Sequence, residues 1–430
     1  MQDQVAPLCP NPADAGKSPE VLLAERDQRI RDAVALKQPD RVPLLLAAGY
    51  LLAEYGGISN QELQDDAIKY QELLERCACE FGPDNIVGLL AHPAASLVLG
   101  DRMTAWPGYG LPASGQFQFV EGEFMKAEDY PAFLRDPSDW AIRTYLPRAF
   151  GRLEGLKSLP PLGMWAFGVY NLMNLALYAN PGASEAFSAL AEAIKVVGEG
   201  MALTFQSMGR MAALGFPPAI GAGSLAEAPF DFMSDTLRGM RGIMLDMLRR
   251  PEELLAAEEK VLEIQLEHVL TFAEVTGLKW ATFPLHRGSD GFMSLDQFER
   301  FYWPQLKRFL LAVIEKGITP FVLYEGVWDK RLEYLAELPK GKTVGWFQKS
   351  DIVKVKEVLG DTMCIMGGMP NSLLTGGSVQ EVRDRTRELC ERVGTNGGFI
   401  MSTSVGEMAG SKLENVRAWV GATREFGRYS

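Results

Sequence analysis

Histidine and cysteine are scarce in this 430-residue sequence, which contains three of the former and five of the latter. The cysteines are too few and too scattered for a disulfide framework, so a reducing, cytoplasmic compartment is expected. No stretch approaches the roughly 18 uninterrupted apolar residues of a membrane span. The acidic start Met-Gln-Asp-Gln also lacks the apolar core of a signal peptide. The composition therefore argues against a disulfide-stapled secreted protein and predicts no contact with a membrane.

Basic residues are also in deficit, because 43 Lys and Arg face 55 Asp and Glu, a formal net charge of −12. Basic doublets such as Arg249-Arg250 occur, but no longer Lys/Arg run does. Because such a chain repels phosphate backbones, nucleic-acid binding is not expected. A strongly anionic substrate would need arginines gathered locally against this overall charge.

The usual sequence motifs of metal, phosphate and nucleophile sites are missing. There is no HExxH, no CxxC, no GxxxxGK[ST] loop and no GxSxG elbow. Cys77 and Cys79 lie two apart on a predicted helix, where they face different directions, so no metal site is predicted. The segment Gly221–Ala226 is rich in glycine, but Pro229 interrupts the helix that a dinucleotide pyrophosphate would need.

Short apolar runs alternate with amphipathic helical patterns along most of the chain. Runs that are apolar throughout are typical of strands covered on both faces. Eight such runs, joined by helices without a flexible linker, predict a single-domain α/β fold, a TIM (β/α)8 barrel. A doubly wound open sheet is the alternative. The predicted strands are Val42–Ala48, Asn85–Ala91, Gly163–Val169, Lys279–Leu285, Thr319–Glu325, Thr343–Phe347, Met363–Met369 and Phe399–Thr403.

The predicted barrel spans residues 29–430 and follows an extended, proline-rich lead-in over residues 1–28. A segment rich in glycine, proline and aromatic residues, about 101–136, interrupts the alternation. We expect it to form an insert near the barrel mouth, either a lid or a small β-structure. Residues 215–229 form a second irregular segment.

Polar side chains follow three of the predicted strands, and the active site of a parallel barrel forms at the carboxyl ends of its strands. His286 follows one strand, and Tyr324 and Glu325 end the next, so imidazole, phenol and carboxylate could serve general acid–base chemistry in one pocket. The ordinary alternative for each is a loop residue with a structural contact. The catalytic candidates are His286, Glu325, Tyr324 and Asp290, and the substrate-binding candidates are Arg287, Trp328, Trp346, Gln348 and Tyr50.

We expect His286 and Glu325 to lie close enough to share a ligand. A histidine with an ordinary pKa would then give the activity a pH dependence between about 5 and 8. The other two histidines carry weaker signals, since His268 lies inside a helical pattern and His92 ends a predicted strand.

Several spaced motifs stand in order along the chain. They are Arg41-Val-Pro-Leu-Leu-Leu-Ala-Ala-Gly49-Tyr50, Asp290-Gly-Phe-Met-Ser294, Gly360-Asp-Thr-Met-Cys-Ile-Met-Gly367-Gly-Met-Pro370, and Gly397-Gly-Phe-Ile-Met followed by Leu413-Glu-Asn415. Together they resemble the uroporphyrinogen decarboxylase superfamily, over most of the chain from about residue 29. The resemblance implies a TIM barrel, in agreement with the strand pattern.

The resemblance also separates two chemistries. True uroporphyrinogen decarboxylases hold a multi-carboxylate tetrapyrrole with arginines in a stretch like RQAGRYLPEY, whereas Leu46–Tyr55 contains no arginine. Unpaired buried charges cost on the order of several kcal/mol each, so that activity is not expected. The resemblance is closer to the corrinoid-linked methyltransferase branch, which binds zinc through His-x-Cys-Gly and a later Cys. Here those positions read Leu323-Tyr324-Glu325-Gly326 and Ser402-Thr403-Ser404, so no bound metal is expected.

The resemblance implies an enzyme of one-carbon transfer, a methyltransferase or demethylase acting on a small, aromatic or otherwise apolar methylated substrate. A corrinoid on a partner protein or tetrahydrofolate would be the methyl partner, and no tightly bound cofactor is expected. Two alternatives stay open: a cofactor-free decarboxylase or other carbon–carbon lyase whose Arg287 holds a small carboxylate, and a non-catalytic binding protein on the same scaffold. A homodimer is an open alternative for the assembly.

Overall fold

Parallel strands form within the apolar runs that the sequence marks. The computed structural model describes residues 11, 14–88, 92–161, 173, 175–176, 178–404, 406 and 408–429. Each strand predicted within these described residues contains an observed strand. The strand predicted at Gly163–Val169 lies outside the described residues. The strands are β1 (Leu45–Ala47), β2 (Asn85–Val87), β3 (Thr104–Pro107), β4 (Gly110–Leu111), β5 (Gln118–Phe119), β6 (Ser224–Leu225), β7 (Trp280–Leu285), β8 (Thr319–Tyr324), β9 (Val344–Phe347), β10 (Cys364–Met369) and β11 (Phe399–Thr403).

The long sheet follows chain order, which is the arrangement of a TIM-type barrel. Strands β6 to β11 each pair in parallel with the next. A parallel bridge between Leu44 and Met401 brings β1, with its parallel partner β2, beside β11. Among the described residues no strand pair joins β2 to β6. Instead the Asn85 side chain donates to the carbonyl of Pro218 (3.0 Å) and accepts from the amide of Ile220 (2.9 Å).

The helices surround these strands and begin at recognisable capping residues. Ser294 accepts a hydrogen bond from the amide of Gln297, Asp351 accepts from Val353, and Pro251 occupies the first turn of its helix. No described helix is both long and apolar enough to cross a bilayer. The helices are α1 (Pro19–Val34), α2 (Leu51–Gly56), α3 (Asn60–Asp65), α4 (Ala67–Phe81), α5 (Ala94–Leu99), α6 (Tyr130–Arg135), α7 (Pro137–Trp140), α8 (Leu146–Ala149), α9 (Pro181–Ala213), α10 (Pro229–Phe232), α11 (Gly239–Arg249), α12 (Pro251–Thr276), α13 (Leu295–Gln297), α14 (Trp303–Glu315), α15 (Leu332–Leu335), α16 (Ile352–Leu359), α17 (Asn371–Gly376), α18 (Val379–Arg392) and α19 (Leu413–Phe426).

Side chains of the barrel strands alternate between two buried layers. Phe321 and Trp346 stack at 5.7 Å in an inner cluster that also contains Ile400. Their neighbours face the helices, as Phe283 does against Phe309 of α14 at 5.1 Å. Because both faces are apolar, the sequence carries no polar alternation that would reveal which residues point inward.

The amino-terminal lead-in is less extended than the sequence predicts. Helix α1 begins at Pro19, where the side chain of Ser18 accepts a hydrogen bond from the amide of Val21. The prediction of extended chain to residue 28 is therefore wrong from this point onward, because a capping serine followed by proline starts a helix.

The segment at residues 101–136 contains the small sheet formed by β3, β4 and β5. It is attached beside the carboxyl end of β1, since the hydroxyl of Tyr50 accepts a hydrogen bond from the amide of Phe117 (2.8 Å). The amide of Gln61 also donates to the carbonyl of Ala113. These contacts place the small sheet at the end of the barrel where strands deliver their catalytic side chains.

Candidate active site

The register of β7 and β8 brings His286 and Glu325 together. Leu285 pairs with Tyr324 in the parallel ladder, and the amide of Glu325 donates to the carbonyl of Leu285 (3.0 Å). Leu285 and Tyr324 face the helices, so the residues that follow them turn towards the barrel mouth. His286 Nδ1 lies 2.9 Å from Glu325 Oε2.

A second carboxylate approaches the other side of the imidazole. It belongs to a wide helical turn, Met233–Arg238, that continues α10 after β6. Asp235 Oδ2 lies 3.7 Å from His286 Nε2. The imidazole of His286, which keeps 29% of its side-chain exposure, is thus held between two carboxylates and remains accessible.

Asp231, buried on α10, fixes the backbone of this strand end. Its carboxylate accepts hydrogen bonds from the amides of His286 (3.1 Å) and Arg287 (2.9 Å) and from the hydroxyl of Tyr302 (2.6 Å). These three hydrogen bonds tie the turn after β7 to α10 and to Tyr302. Asp231 is therefore a positioning residue for His286.

The charges around His286 raise its pKa to about 9. Burial by itself lowers this pKa, but the hydrogen bond to Glu325 and the negative charges of Asp231, Glu325 and Asp235 outweigh it. At neutral pH the ring is an imidazolium and therefore a proton donor. The expectation of an ordinary histidine pKa is corrected, because the sequence did not show that three carboxylates meet at the ring.

Two further carboxyl groups near the site are hard to ionise. Burial, followed by the charges of Asp231 and Asp235, raises the pKa of Glu227 to about 7. Burial likewise raises the pKa of Asp231 to about 6, although His286 and Tyr302 oppose the effect. Glu227 Oε2 is buried and has no hydrogen-bond partner in the described chain. Glu227 can therefore carry a proton near neutral pH.

Sequence reasoning missed this acidic segment, although a signal was present. Glu227, Asp231 and Asp235 are spaced four residues apart, which places carboxylates on one face of a helical stretch. The glycines and prolines of residues 215–229 indicate irregular chain, and Asp231 and Asp235 follow that segment directly. In the structure it follows β6, which occupies the sheet position next to β7.

Arg287 is already paired. Its guanidinium contacts Asp235 (Nη2 to Oδ1, 2.5 Å) and Ser234 (Nε to Oγ, 3.1 Å), and it lies over the ring of Phe292. That Arg287 holds a substrate carboxylate stays a prediction, and such a carboxylate would bind at the exposed Nη1 beside Asp235 or compete with Asp235 for the guanidinium.

Tyr324 and Trp328 pack away from the barrel mouth, so their contact with substrate stays a prediction that this packing does not favour. Tyr324 stacks on Phe347 at 4.6 Å, and its buried hydroxyl finds no partner among the described residues. Trp328 is fully buried, packs edge-on against Tyr324, and donates its Nε1–H to the carbonyl of Glu325 (2.7 Å). Alternation along β8 sends Tyr324 to the helix-facing layer while Glu325 faces the mouth.

Two other predicted substrate contacts are structural in this fold. Trp346 is buried inside the barrel and donates to the carbonyl of Thr403 (2.7 Å). The hydroxyl of Tyr50 bonds Gln64 (3.1 Å) and the amide of Phe117, so it anchors the small sheet. Both side chains are occupied by the packing of the barrel itself.

Asp290 and Gln348 brace the loops of the site. Asp290 accepts from the amide of Lys330 (3.0 Å), lies 3.7 Å from Arg331, and donates its own amide to the carbonyl of Val327. The side chain of Gln348 accepts from the amide of Gly326 (3.0 Å), directly after Glu325. These contacts connect the loops that follow neighbouring strands. Asp290 and Gln348 therefore hold the loop after β8, which carries Glu325, in place.

The remaining histidines lie elsewhere. His92 Nδ1 lies 2.7 Å from the carbonyl of Gln64, and the ring lines a cavity of about 420 Å³ with Tyr70 and Met208. His268 is exposed on α12, as the helical pattern predicts.

Comparison with known proteins places this geometry in a family. A family model described as uroporphyrinogen decarboxylase (URO-D) matches residues 185–426, more than half of the chain. The chain belongs to the URO-D family. Among solved structures, a methyltransferase from Methanosarcina mazei is similar, with a TM-score of 0.58, 17% identity, and coverage of 93% of this chain and 98% of that chain. At this identity the likeness shows the fold alone, and a search of curated protein sequences gives no match.

The donor set of this URO-D family member does not fit the zinc site that the resemblance implies. Burial raises the pKa of Cys77, Cys364 and Cys390 to about 12, so these thiols stay protonated at neutral pH. In the part of the chain that the structure describes, no three His, Cys, Asp or Glu side chains are placed to hold a metal ion. The absence of tightly bound zinc stays a prediction, which metal analysis of the dialysed protein checks.

Replacing Glu325 by Gln is expected to lower the pKa of His286 from about 9 towards its ordinary 6.5. The change removes both the charge of Glu325 and the hydrogen bond that favours the imidazolium. Titration of the histidine ring signals by NMR measures the effect. Glu252→Gln, on the exposed start of α12, is the matched control. An unaltered titration of His286 in Glu325→Gln would contradict the geometry.

Replacing Glu227 by Gln is expected to flatten the dependence of stability on pH. The folded-state pKa of about 7 lies above the usual 4.5. The stabilising contribution of neutral Glu227 is thus complete below about pH 4.5 and is lost as pH rises through 7. Between pH 5 and 8 the wild type should lose on the order of 2 kcal/mol more unfolding free energy than the variant. Denaturant unfolding at both pH values measures it, and identical slopes would refute the burial argument.

Proposed function

We propose that this URO-D family member is an enzyme that removes a methyl group from a small methylated substrate and passes it to a corrinoid protein or tetrahydrofolate. One observation carries the proposal: His286, with a pKa of about 9, stands accessible between Glu325 and Asp235 at the carboxyl ends of the strands. A proton donor in that position suits reactions in which a heteroatom leaves with an electron pair.

The proposed step uses the two ring nitrogens differently. Nδ1 is engaged with Glu325 at 2.9 Å, whereas Nε2, at 3.7 Å from Asp235, can reach a substrate in the mouth. As the carbon–oxygen or carbon–nitrogen bond to the methyl group breaks, the electron pair stays on the heteroatom. The proton of Nε2 moves to that atom, and Asp235 and Glu325 stabilise the imidazolium beforehand. The corrinoid or folate supplies the nucleophile that accepts the methyl group.

The local charge supports a neutral or cationic substrate over a strongly anionic one. Even with Glu227 protonated, the carboxylates of Asp231, Asp235 and Glu325 outnumber the two cations, His286 and Arg287. A multi-carboxylate tetrapyrrole would add negative charge here, and the stretch Leu46–Tyr55 offers no arginine to it. The lyase alternative is weaker for the same reason, because its carboxylate anchor Arg287 is paired with Asp235.

The test combines the purified chain with a panel of methoxylated aromatic compounds and methylated amines, in the presence of either reduced cobalamin or tetrahydrofolate. The expected result is a demethylated product together with an equal amount of methylated acceptor. Absorbance follows methylcobalamin, and chromatography follows the substrates and methyltetrahydrofolate. The exposed histidine variant His268→Asn should retain full activity.

Other outcomes would overturn the proposal. Carbon dioxide released from small carboxylates, without methyl transfer, would establish the lyase alternative. Coproporphyrinogen formed from uroporphyrinogen at enzyme-like rates would show that the missing arginines do not matter. Tight binding of a compound that is never turned over would favour a binding protein.

A further inference from the structure

A cluster of arginines lines a separate cavity at the opposite end of the barrel. The cavity, of about 340 Å³, lies beside α1 and the chain that leads into β1. A bridge joins the backbones of Arg41 and Arg428 there, and Asp84 immediately precedes β2. Because parallel strands share their direction, this amino-terminal end lies away from His286 and Glu325.

Positive charge exceeds negative charge in this arginine cluster. Asp14 lies 2.8 Å from Arg26 and also 3.8 Å from Arg424. Asp84 forms ion pairs with both Arg29 and Arg41, and Asp40 forms one with Arg29. The nearby Lys17 and Glu25 pair with each other. Among the described residues two positive charges are left without a counter-charge. The cations are Arg26, Arg29, Arg41, Arg424 and Arg428, and the anions are Asp14, Asp40 and Asp84.

Two of these arginines have few charged partners. The hydrogen bonds of Arg424 go to neutral groups, and the side chain of Arg428 makes none within the described chain. Arg424 donates to the side-chain oxygen of Asn11 (3.0 Å) and to the carbonyl of Gly82 (2.5 Å), neither of which carries charge. The side chain of Arg428 is exposed and makes no hydrogen bond or ion pair within the described chain. Burial and the neighbouring arginines lower the pKa of Arg26 and Arg424 in spite of Asp14, as expected where positive charge is in excess.

We propose that this cavity binds a phosphoryl oxyanion, either inorganic phosphate or the phosphate group of a phosphomonoester. A dianion matches the two uncompensated charges, and planar guanidinium groups bind phosphate oxygens in pairs. The site stands out because the chain as a whole carries a net charge of −12. Asp14, Asp40 and Glu25 also line the cavity and oppose an anion. The expected contacts are therefore Arg428, Arg41, and Arg424 on the side away from Asp14.

Calorimetric titration of the full chain with inorganic phosphate tests the proposal. Sodium chloride in the buffer keeps the ionic strength constant. We expect one saturable site per chain, and a rise in melting temperature that follows its occupancy. Parallel titration with glycerol 3-phosphate distinguishes the sources, since the tighter ligand identifies free phosphate or a phosphomonoester. The titration needs no turnover, so its result is independent of the proposed methyl transfer.

Arg428→Gln and Arg424→Gln should each weaken phosphate binding about tenfold or more, as the loss of a charge-assisted hydrogen bond does. Arg428→Gln is the safer variant, because its guanidinium holds no other described residue. Arg249→Gln, at the exposed end of α11, removes the same charge elsewhere and should leave binding unchanged. Absence of saturable binding for both ligands, or equal affinity in Arg428→Gln and wild type, would overturn the proposal.

Discussion

Replacing His286 by Asn is expected to lower the rate of methyl transfer by roughly 10²–10⁴, the usual contribution of a positioned acid. Asparagine is smaller than histidine and can still accept or donate a hydrogen bond, but it holds no proton that it can transfer near neutral pH. The fold should survive, because the ring keeps 29% of its exposure and its backbone is fixed by Asp231. Steady-state kinetics measure the loss, and circular dichroism verifies the fold.

The pH profile separates a catalytic His286 from a structural one. Since the proton is lost near pH 9, wild-type activity should fall as pH rises through that value, rather than between 5 and 8. His268→Asn, an exposed histidine of α12, controls for the substitution itself. Full activity in His286→Asn would remove His286 from the mechanism. So would a fall in the activity of His286→Asn near pH 9 that matches the fall seen in His268→Asn.

Replacing Asp84 by Ala is expected to cost about 3–5 kcal/mol of unfolding free energy, the typical cost of removing one partner of a buried ion pair. Asp84 is fully buried, pairs with Arg29 and with Arg41 (2.7 Å), and accepts the amide of Leu44 (2.8 Å). Its loss would leave Arg41 without an ionic partner, leave Arg29 with Asp40 alone, and strand the backbone amide of Leu44 just before β1. Denaturant unfolding at pH 7 measures the effect.

The pH dependence of this ion cluster has a definite sign. The arginines hold the pKa of Asp84 below its ordinary 3.8 despite burial, so its contribution is present above that value and is lost in acid. Glu252→Ala is the control, because its pair with Arg300 is exposed and is expected to contribute at most about 1 kcal/mol. Equal losses in the two variants would show that the buried pair has no special role.

The strands and much of the site follow from local sequence. Apolar runs of strand length, separated by capped helices, predict a parallel α/β barrel, and such a barrel brings consecutive strand ends together. The pairing of His286 with Glu325 follows from this rule, since each comes directly after the last residue of its strand. The sequence alone also shows that the stretch Leu46–Tyr55 lacks arginine.

The orientation of side chains needed the tertiary structure. Tyr324 and Glu325 are adjacent in the sequence, yet one packs against Phe347 and the other meets His286. Strands buried on both faces are apolar on both faces, so no pattern tells which residues point to the mouth. The sequence also predicts substrate contacts for Trp328, Trp346 and Tyr50, whereas in the structure each of these side chains packs against, or hydrogen-bonds to, other parts of the chain.

The electrostatics of the site depend wholly on long-range packing. Asp231 and Asp235 lie more than fifty residues from His286 along the chain, and a segment between β6 and α11 carries them to it. A pKa depends on burial and on charges within a few ångströms, neither of which local sequence specifies. The sequence by itself thus determined the barrel and the pair at its strand ends. The tertiary structure decided that His286 is a protonated acid among carboxylates.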